Sequence, residues 1–210
     1  LTPDRTPPLH VVTDDSVVAR GDFVARAAEV LTGGGADVAL HLRAPSASGR
    51  RMFDLAERLM ETARASGSLL VVNDRVDVAM AIGAHGVQLG ARGLAVADAR
   101  RMIGPARLVG VSVHGVDEAR EAASAGADWL LAGTIHATPS HPGRAGAGVG
   151  LIAELARIGP PVIAIGGVTP KRVGEARRAG AAGVATIRGV WDDPSPADAV
   201  RRHLDAWREG

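Results

Sequence analysis

The sequence predicts a single-domain α/β protein with the architecture of a (β/α)8 TIM barrel. Three observations carry that expectation. Eight short apolar runs rich in β-branched residues alternate with amphipathic helical stretches along the 210 residues. The linkers between these units are short, so a second domain has no room, and a doubly wound open sheet would lack eight such regular units. The last two runs end in glycine-bearing segments, Gly166-Gly167 and Arg188-Gly189, where barrels commonly cradle a phosphate.

In order, strands are predicted over 9–13, 37–43, 69–73, 86–89, 108–112, 128–132, 162–165 and 183–187. The helices between and after them fall over 16–32, 49–65, 75–82, 96–102, 116–124, 149–158, 170–178 and 196–208. Ala125-Gly126-Ala127 and Ala179-Gly180-Ala181, with the related Ile82-Gly83-Ala84, mark stops where a helix gives way to the next strand. The long connection is 133–148, rich in Gly, Pro, Thr and His, and a loop of that length in a compact domain reads as a lid or ligand clamp.

Composition narrows the function. Apolar residues make up 46% and charged residues 22%, with a formal net charge of +1, so neither nucleic acid nor an anionic membrane is an expected partner. Cysteine is absent, which removes disulfides, thiolate nucleophiles and cysteine–metal sites. No apolar run approaches the roughly 18 residues of a membrane span. The first residues, Leu1 to Pro8, are polar and lack a signal-peptide core, so the expected location is the cytoplasm. Lys171 is the single lysine and follows Thr169-Pro170 at a helix start, which argues against Schiff-base chemistry.

Barrel chemistry is built at strand ends. Asp14 and Asp15, before Ser16, read as a helix cap. His41 and Arg43 stand two apart on one strand face; Arg43 suits either a substrate carboxylate or a salt bridge to Asp14 or Asp74. Asn73-Asp74 could bind a divalent cation, yet no second acid stands at the next two strand ends, so hydrogen bonding is the expected role. Gln88, Ser112 and Thr134 complete the polar mouth. His114, at the fifth strand end, is the candidate acid–base group, because an imidazole exchanges protons near neutral pH; its alternative is a cap on the next helix. Gly166, Gly167 and the Thr186-Ile187-Arg188-Gly189 segment form the expected phosphate cradle, with Arg188 either on the phosphate or turned outward. His41, His114, His136 and His141 lack metal-ligand spacing.

Several segments, in order and at matching spacings, resemble the thiamine phosphate synthase/thiazole tautomerase superfamily almost end to end. They are Leu9 to Asp15, His41-Leu42-Arg43, Asn73 to Asp77, Gly86 to Leu89, Gly110 to His114 and Ala164 to Pro170. The resemblance implies that residues 1–210 form one thiamine phosphate synthase-like barrel domain. The synthase pattern carries Gln-x-Arg-x-Lys after strand two, an aspartate after strand four and Thr-x-Thr/Ser-Lys in loop six. This chain has His41-Leu42-Arg43-Ala44-Pro45, Gly90-Ala91-Arg92-Gly93 and Thr138-Pro139-Ser140-His141. Ser112-Val113-His114, His41-x-Arg43 and Val87-Gln88-Leu89 resemble the tautomerase branch instead, although Arg188 stands where both branches commonly carry serine.

What this implies is a cofactor-free and metal-free thiazole tautomerase, an isomerase of thiamine biosynthesis acting on a small phosphorylated thiazole. His114 would move the proton and Ser112 would orient nearby groups. Arg43 and His41 would hold the substrate carboxylate, with the main chain at Gly166, Gly167 and 186–189 on the phosphate. Barrels of this branch are commonly homodimers. Two readings compete: a thiamine phosphate synthase joining a pyrimidine pyrophosphate to a thiazole phosphate, and a non-catalytic thiazole phosphate-binding or regulatory protein.

Overall fold

A computed structural model describes residues 6–91, 93–138 and 145–210. Eight parallel strands close on themselves in sequence order, β1 Leu9–Val12, β2 Val38–Leu42, β3 Leu69–Asn73, β4 Gly86–Leu89, β5 Leu108–Val113, β6 Trp129–Gly133, β7 Val162–Ile165 and β8 Gly183–Thr186. Closure is made by β1 against β8, with Leu9 level with Val184 and Val11 with Thr186. The helices are α1 Asp15–Val18, α2 Phe23–Gly34, α3 Gly49–Ser66, α4 Val76–Ile82, α5 Val96–Ile103, α6 Val116–Ser124, α7 Val149–Leu155, α8 Pro170–Arg178, α9 Arg188–Trp191 and α10 Pro196–Glu209. This is the (β/α)8 barrel the alternation predicts. No helix among the described residues is long and apolar enough to cross a membrane.

The strands are apolar on both faces because both are buried, outward against helices and inward against one another. Along β2, Leu40 and Leu42 join the layer between sheet and helices, while Ala39 belongs to the barrel interior and His41, two residues on, shares its face. Helix α3 shows how a helix meets this layer. Its Met52, Leu55, Ala56, Leu59, Met60 and Ala63 are buried at helical spacing. Ser48 caps its start by accepting from the Arg51 N–H, and Gly67, at φ +75°, turns the chain out at its end.

Two local features depart from the sequence expectation. The helix predicted over 16–32 is broken into α1 and α2. Gly21-Asp22 interrupts it, and Arg20 reaches across to the Trp191 carbonyl and to Asp192 at 2.8 Å. After β8 the chain forms α9, a short turn not predicted by the glycine pattern. Trp191 nails it down: the indole is fully buried, tilts against Phe23 at 5.7 Å and donates to the Val12 carbonyl at 2.8 Å. This indole donor, bonded to an acceptor at the end of β1, ties the last loop to the first strand.

Candidate active site

The barrel floor is built from polar side chains packed around one indole. Trp129, at the start of β6, points inward and lies edge-on to His10 at 5.5 Å and to His41 at 6.2 Å. Its Nε1–H donates to Gln88 Oε1 at 2.8 Å, and Gln88 Nε2 in turn donates to Ser112 Oγ at 3.1 Å. The indole hydrogen bond therefore decides which end of the Gln88 amide faces Ser112. On the opposite wall His10 Nδ1 and His41 Nε2 share a hydrogen bond of 2.7 Å, both rings fully buried. Burial pushes the His10 imidazole down to about 3 against the opposing pull of the Pro7 backbone. His41 is driven well below its ordinary value by burial and then by His10, with Asn73 pulling the other way. Both rings are neutral at neutral pH.

Above this floor stand the strand ends. The Thr13 hydroxyl donates to the Arg43 carbonyl at 2.7 Å and accepts its N–H at 2.8 Å, which extends the β1–β2 pairing and fixes the Arg43 backbone. Arg43 shares the parity of His41, and no ion pair holds it among the described residues. Arg188 is differently placed: Asp14 at 2.8 Å, Asp192 at 3.4 Å and Ser16 at 3.0 Å all engage its guanidinium. Asp14 also accepts from the Val17 N–H as the cap of α1, as its sequence position implies. Burial pushes the Asp14 carboxyl up, but the bonds from Ser16 and Val17 and the Arg188 charge outweigh it and hold the group below its usual range.

Gly166 and Gly167, at φ +103° and +62°, let the β7 turn press against the start of the long loop. A Cβ on Gly166 would lie 2.5 Å from the Thr134 methyl, and one on Gly167 would lie 2.8 Å from the Ala137 carbonyl. The Ile135 and His136 N–H groups donate to the Ile165 and Gly166 carbonyls at 2.9 and 3.0 Å. The glycine pair thus seats Thr134 at the mouth. Across β8, Gly189 leaves room for Thr186 Oγ1, 2.7 Å from where its Cβ would stand.

The structure places His41, Asn73, Gln88 and Ser112 in or just above the floor, with Arg43, Thr134, Gly166, Gly167, Thr186, Ile187, Arg188 and Gly189 around the rim. His114 is set apart from the floor. Its ring is half exposed and its Nδ1 lies 3.1 Å from Glu118 Oε2, the same oxygen that accepts the His114 N–H at 2.7 Å. Glu118, in the first turn of α6, thus reaches back to both the main chain and the ring of His114, while the helix itself starts from Gly115 with no side-chain cap. His136 lies 3.8 Å from Glu175, while Arg92, Ser140 and His141 lie outside the described residues. Sequence reasoning missed His10 and Trp129 as parts of the floor. Strand parity was the available signal, since His10 alternates with Val11 as His41 does with Leu40.

The magnesium ion for which the synthase pattern keeps an aspartate after strand four does not fit these residues, which read Gly90-Ala91-Arg92-Gly93 there. Asp74 Oδ1 already accepts the Gly90 N–H at 2.8 Å, and the neighbouring position is Gly93, whose absent Cβ would lie 2.9 Å from that oxygen. Among the described residues no group of three or more His, Cys, Asp or Glu side chains could hold a metal ion.

Fold and site define a (β/α)8 barrel with a polar floor and a glycine-rich rim at the C-terminal strand ends. The family model described as thiamine monophosphate synthase (TMP-TENI) matches residues 9–190, and the chain belongs to that family. A thiamine-phosphate synthase of Roseiflexus castenholzii is 40% identical over 200 residues, 94% of this chain and 86% of that protein. One of Methanoculleus marisnigri is 41% identical over 200 residues, 94% and 93% of the two chains. The solved thiamine phosphate pyrophosphorylase from Pyrococcus furiosus superposes with a TM-score of 0.84 at 30% identity, covering 97% of this chain and 96% of that one.

These findings overturn the tautomerase expectation and its assignment to the isomerases. Relatives 34–41% identical over 92–95% of the chain are named for a synthase, a transferase. The tautomerase expectation gave a few strand-end positions more weight than similarity spread along the whole barrel. The role of His114 as acid–base for tautomerisation falls with it.

Proposed function

We propose that this chain is a thiamine-phosphate synthase-type transferase, which joins a pyrimidine carried as its pyrophosphate ester to a thiazole phosphate and releases pyrophosphate. The observation that carries the reading is whole-length similarity to proteins of that name. The reaction forms a carbon–nitrogen bond as a carbon–oxygen bond to pyrophosphate breaks, so the protein's task is to hold two anions in line and balance the charge of the leaving group.

The residues present suit that task in part with a changed cast. Gly166, Gly167 and the 186–189 main chain, with the Thr186 hydroxyl, hold the thiazole phosphate, and Thr134 closes over it. Asn73 and Arg43 take pyrophosphate oxygens. Arg43 is a rim cation with no ion pair among the described residues, unlike Arg188, which is paired with Asp14 and Asp192, and Arg75, which is paired with Asp77. Gln88 and Ser112 form the polar floor beneath the pyrimidine, and His41, buried and neutral, excludes water there.

The test is direct. The purified chain, given the pyrimidine pyrophosphate, thiazole phosphate and Mg²⁺, should release pyrophosphate and form the coupled phosphate over many turnovers. Arg43→Ala should lower kcat/KM by about 10- to 100-fold, the worth of a charge-assisted contact to an oxyanion. Binding of thiazole phosphate with no pyrophosphate release would overturn the transferase reading in favour of a ligand-binding protein.

A further inference from the structure

One chain of hydrogen bonds in the floor has its direction fixed by chemistry alone. The Trp129 indole carries a donor and no acceptor. Its Nε1–H meets Gln88 at 2.8 Å, so the atom facing it is the amide oxygen Oε1. The reverse setting would press the amide NH₂ against the indole N–H. With Gln88 fully buried and Trp129 1% exposed, that is a meeting of buried donors that folded chains avoid.

With its oxygen on the indole, the amide turns its nitrogen to the other side, where it donates to Ser112 Oγ at 3.1 Å. A hydroxyl has one hydrogen and two lone pairs. Ser112 spends a lone pair on Gln88 and keeps its hydrogen, and among the described residues its hydroxyl meets no further protein partner. Along β5, Ser112 shares a face with Gly110, which lies against the indole and the amide inside the barrel. Ser112 stands two residues nearer the mouth and is only partly buried, so it is the end of the chain that a ligand can reach. Were the amide turned round, Oε1 would take the Ser112 hydrogen and leave only lone pairs for a ligand.

We propose that Trp129 is a positioning residue that sets ligand specificity: through Gln88 it holds Ser112 as a hydrogen-bond donor to the mouth, which selects a ligand presenting an unprotonated acceptor atom there. On the transferase reading, on which the identity of the ligand rests, that atom is a ring nitrogen of the pyrimidine above the floor. The direction of the hydrogen bonds does not depend on that reading. A ring position bearing C–H or N–H instead would leave the Ser112 hydrogen without an acceptor and is disfavoured.

The test compares binding of the pyrimidine pyrophosphate with that of two analogues, each with C–H in place of one ring nitrogen. The full chain is used without thiazole phosphate, so that no turnover occurs. One analogue should bind the unaltered chain about 10-fold more weakly than the pyrimidine, the worth of one well-placed hydrogen bond. Ser112→Ala should close that gap to within about twofold. Trp129→Phe, which frees the amide to turn, should narrow it to about threefold or less, and should change nothing further in a chain already carrying Ser112→Ala. Loss of packing alone would weaken all three ligands alike and leave the gap. If Trp129→Phe does not fold, β-(3-benzothienyl)alanine at position 129 keeps the shape of the indole and loses only the N–H. No gap in the unaltered chain, a gap that survives either change at position 129, or a second narrowing beyond Ser112→Ala overturns the proposal. Pyrophosphate release with no gap overturns the proposal and spares the transferase reading. A gap with no pyrophosphate release once thiazole phosphate is added refutes the transferase reading alone, and no affinity for any of the three ligands overturns both.

Discussion

Gly110 in β5 is defined by what it lacks. A Cβ there would stand 2.1 Å from Trp129 Nε1 and 2.3 Å from Gln88 Oε1, across the hydrogen bond that orients the floor. Neither group can retreat, because the indole is 1% exposed and the amide is fully buried. Gly110→Ala is therefore expected to break that bond and destabilise the chain by about 1–3 kcal/mol, the range for overpacking a core. The urea midpoint and the near-ultraviolet signal of the indole check it; both unchanged would mean the floor is looser than drawn. At this scale the sequence was informative where a residue stood at a strand end. His41, Asn73, Gln88 and Ser112 were legible because strand parity and the barrel rule point them to the mouth. His10 and Trp129 lie deeper, and an inward polar residue below the rim resembles core in a single sequence.

Between elements, the clearest coupling runs through Asp128, one residue before β6. One of its carboxylate oxygens accepts the Val109 N–H of β5 at 2.6 Å and also pairs with Arg100 of α5. Arg100 carries on to the Arg107 and Gly126 carbonyls, so this small cluster fastens a helix, two strands and two turns on the closed face of the barrel. The pair is only partly exposed, with 24% and 29% of the side chains accessible. Removing the carboxylate in Asp128→Ala leaves a guanidinium and an amide without their acceptor, and about 1–3 kcal/mol of stability should be lost with no change in KM. A shift in KM without loss of stability would contradict this placement away from the mouth. Element boundaries were legible where caps speak plainly: α6 and α8 fall on the predicted spans 116–124 and 170–178. The break between α1 and α2, and the turn α9, depend on Arg20 and Trp191 meeting across 171 positions of sequence, which no local pattern records.

At the scale of the whole barrel, eight repeating units made the architecture legible, while the chemistry was misread from a handful of changed positions. The same closed interior fixes the pH response. His10 is pushed down to about 3 by burial, His41 well below its ordinary value by burial and its neighbour, and His85 and His203 lower by burial first. In the unfolded chain each titrates near 6.5. Below that pH the unfolded state binds protons that the folded state refuses, so stability falls as pH drops from about 6.5 towards 3. The slope from His10 is about 1.4 kcal/mol per pH unit, with the other three adding to it. Carboxylates held low, such as Asp14 and Asp77, contribute stability above their ordinary value of 3.8 and lose it only at lower pH, so they leave the interval from 6.5 to 4.5 to the histidines. Urea unfolding at pH 7, 6 and 5 should show a steadily falling midpoint, and His10→Asn should flatten the slope by about 1.4 kcal/mol per unit. A midpoint constant across that interval would mean that water reaches the histidine pair and that the floor is not a dry, closed surface.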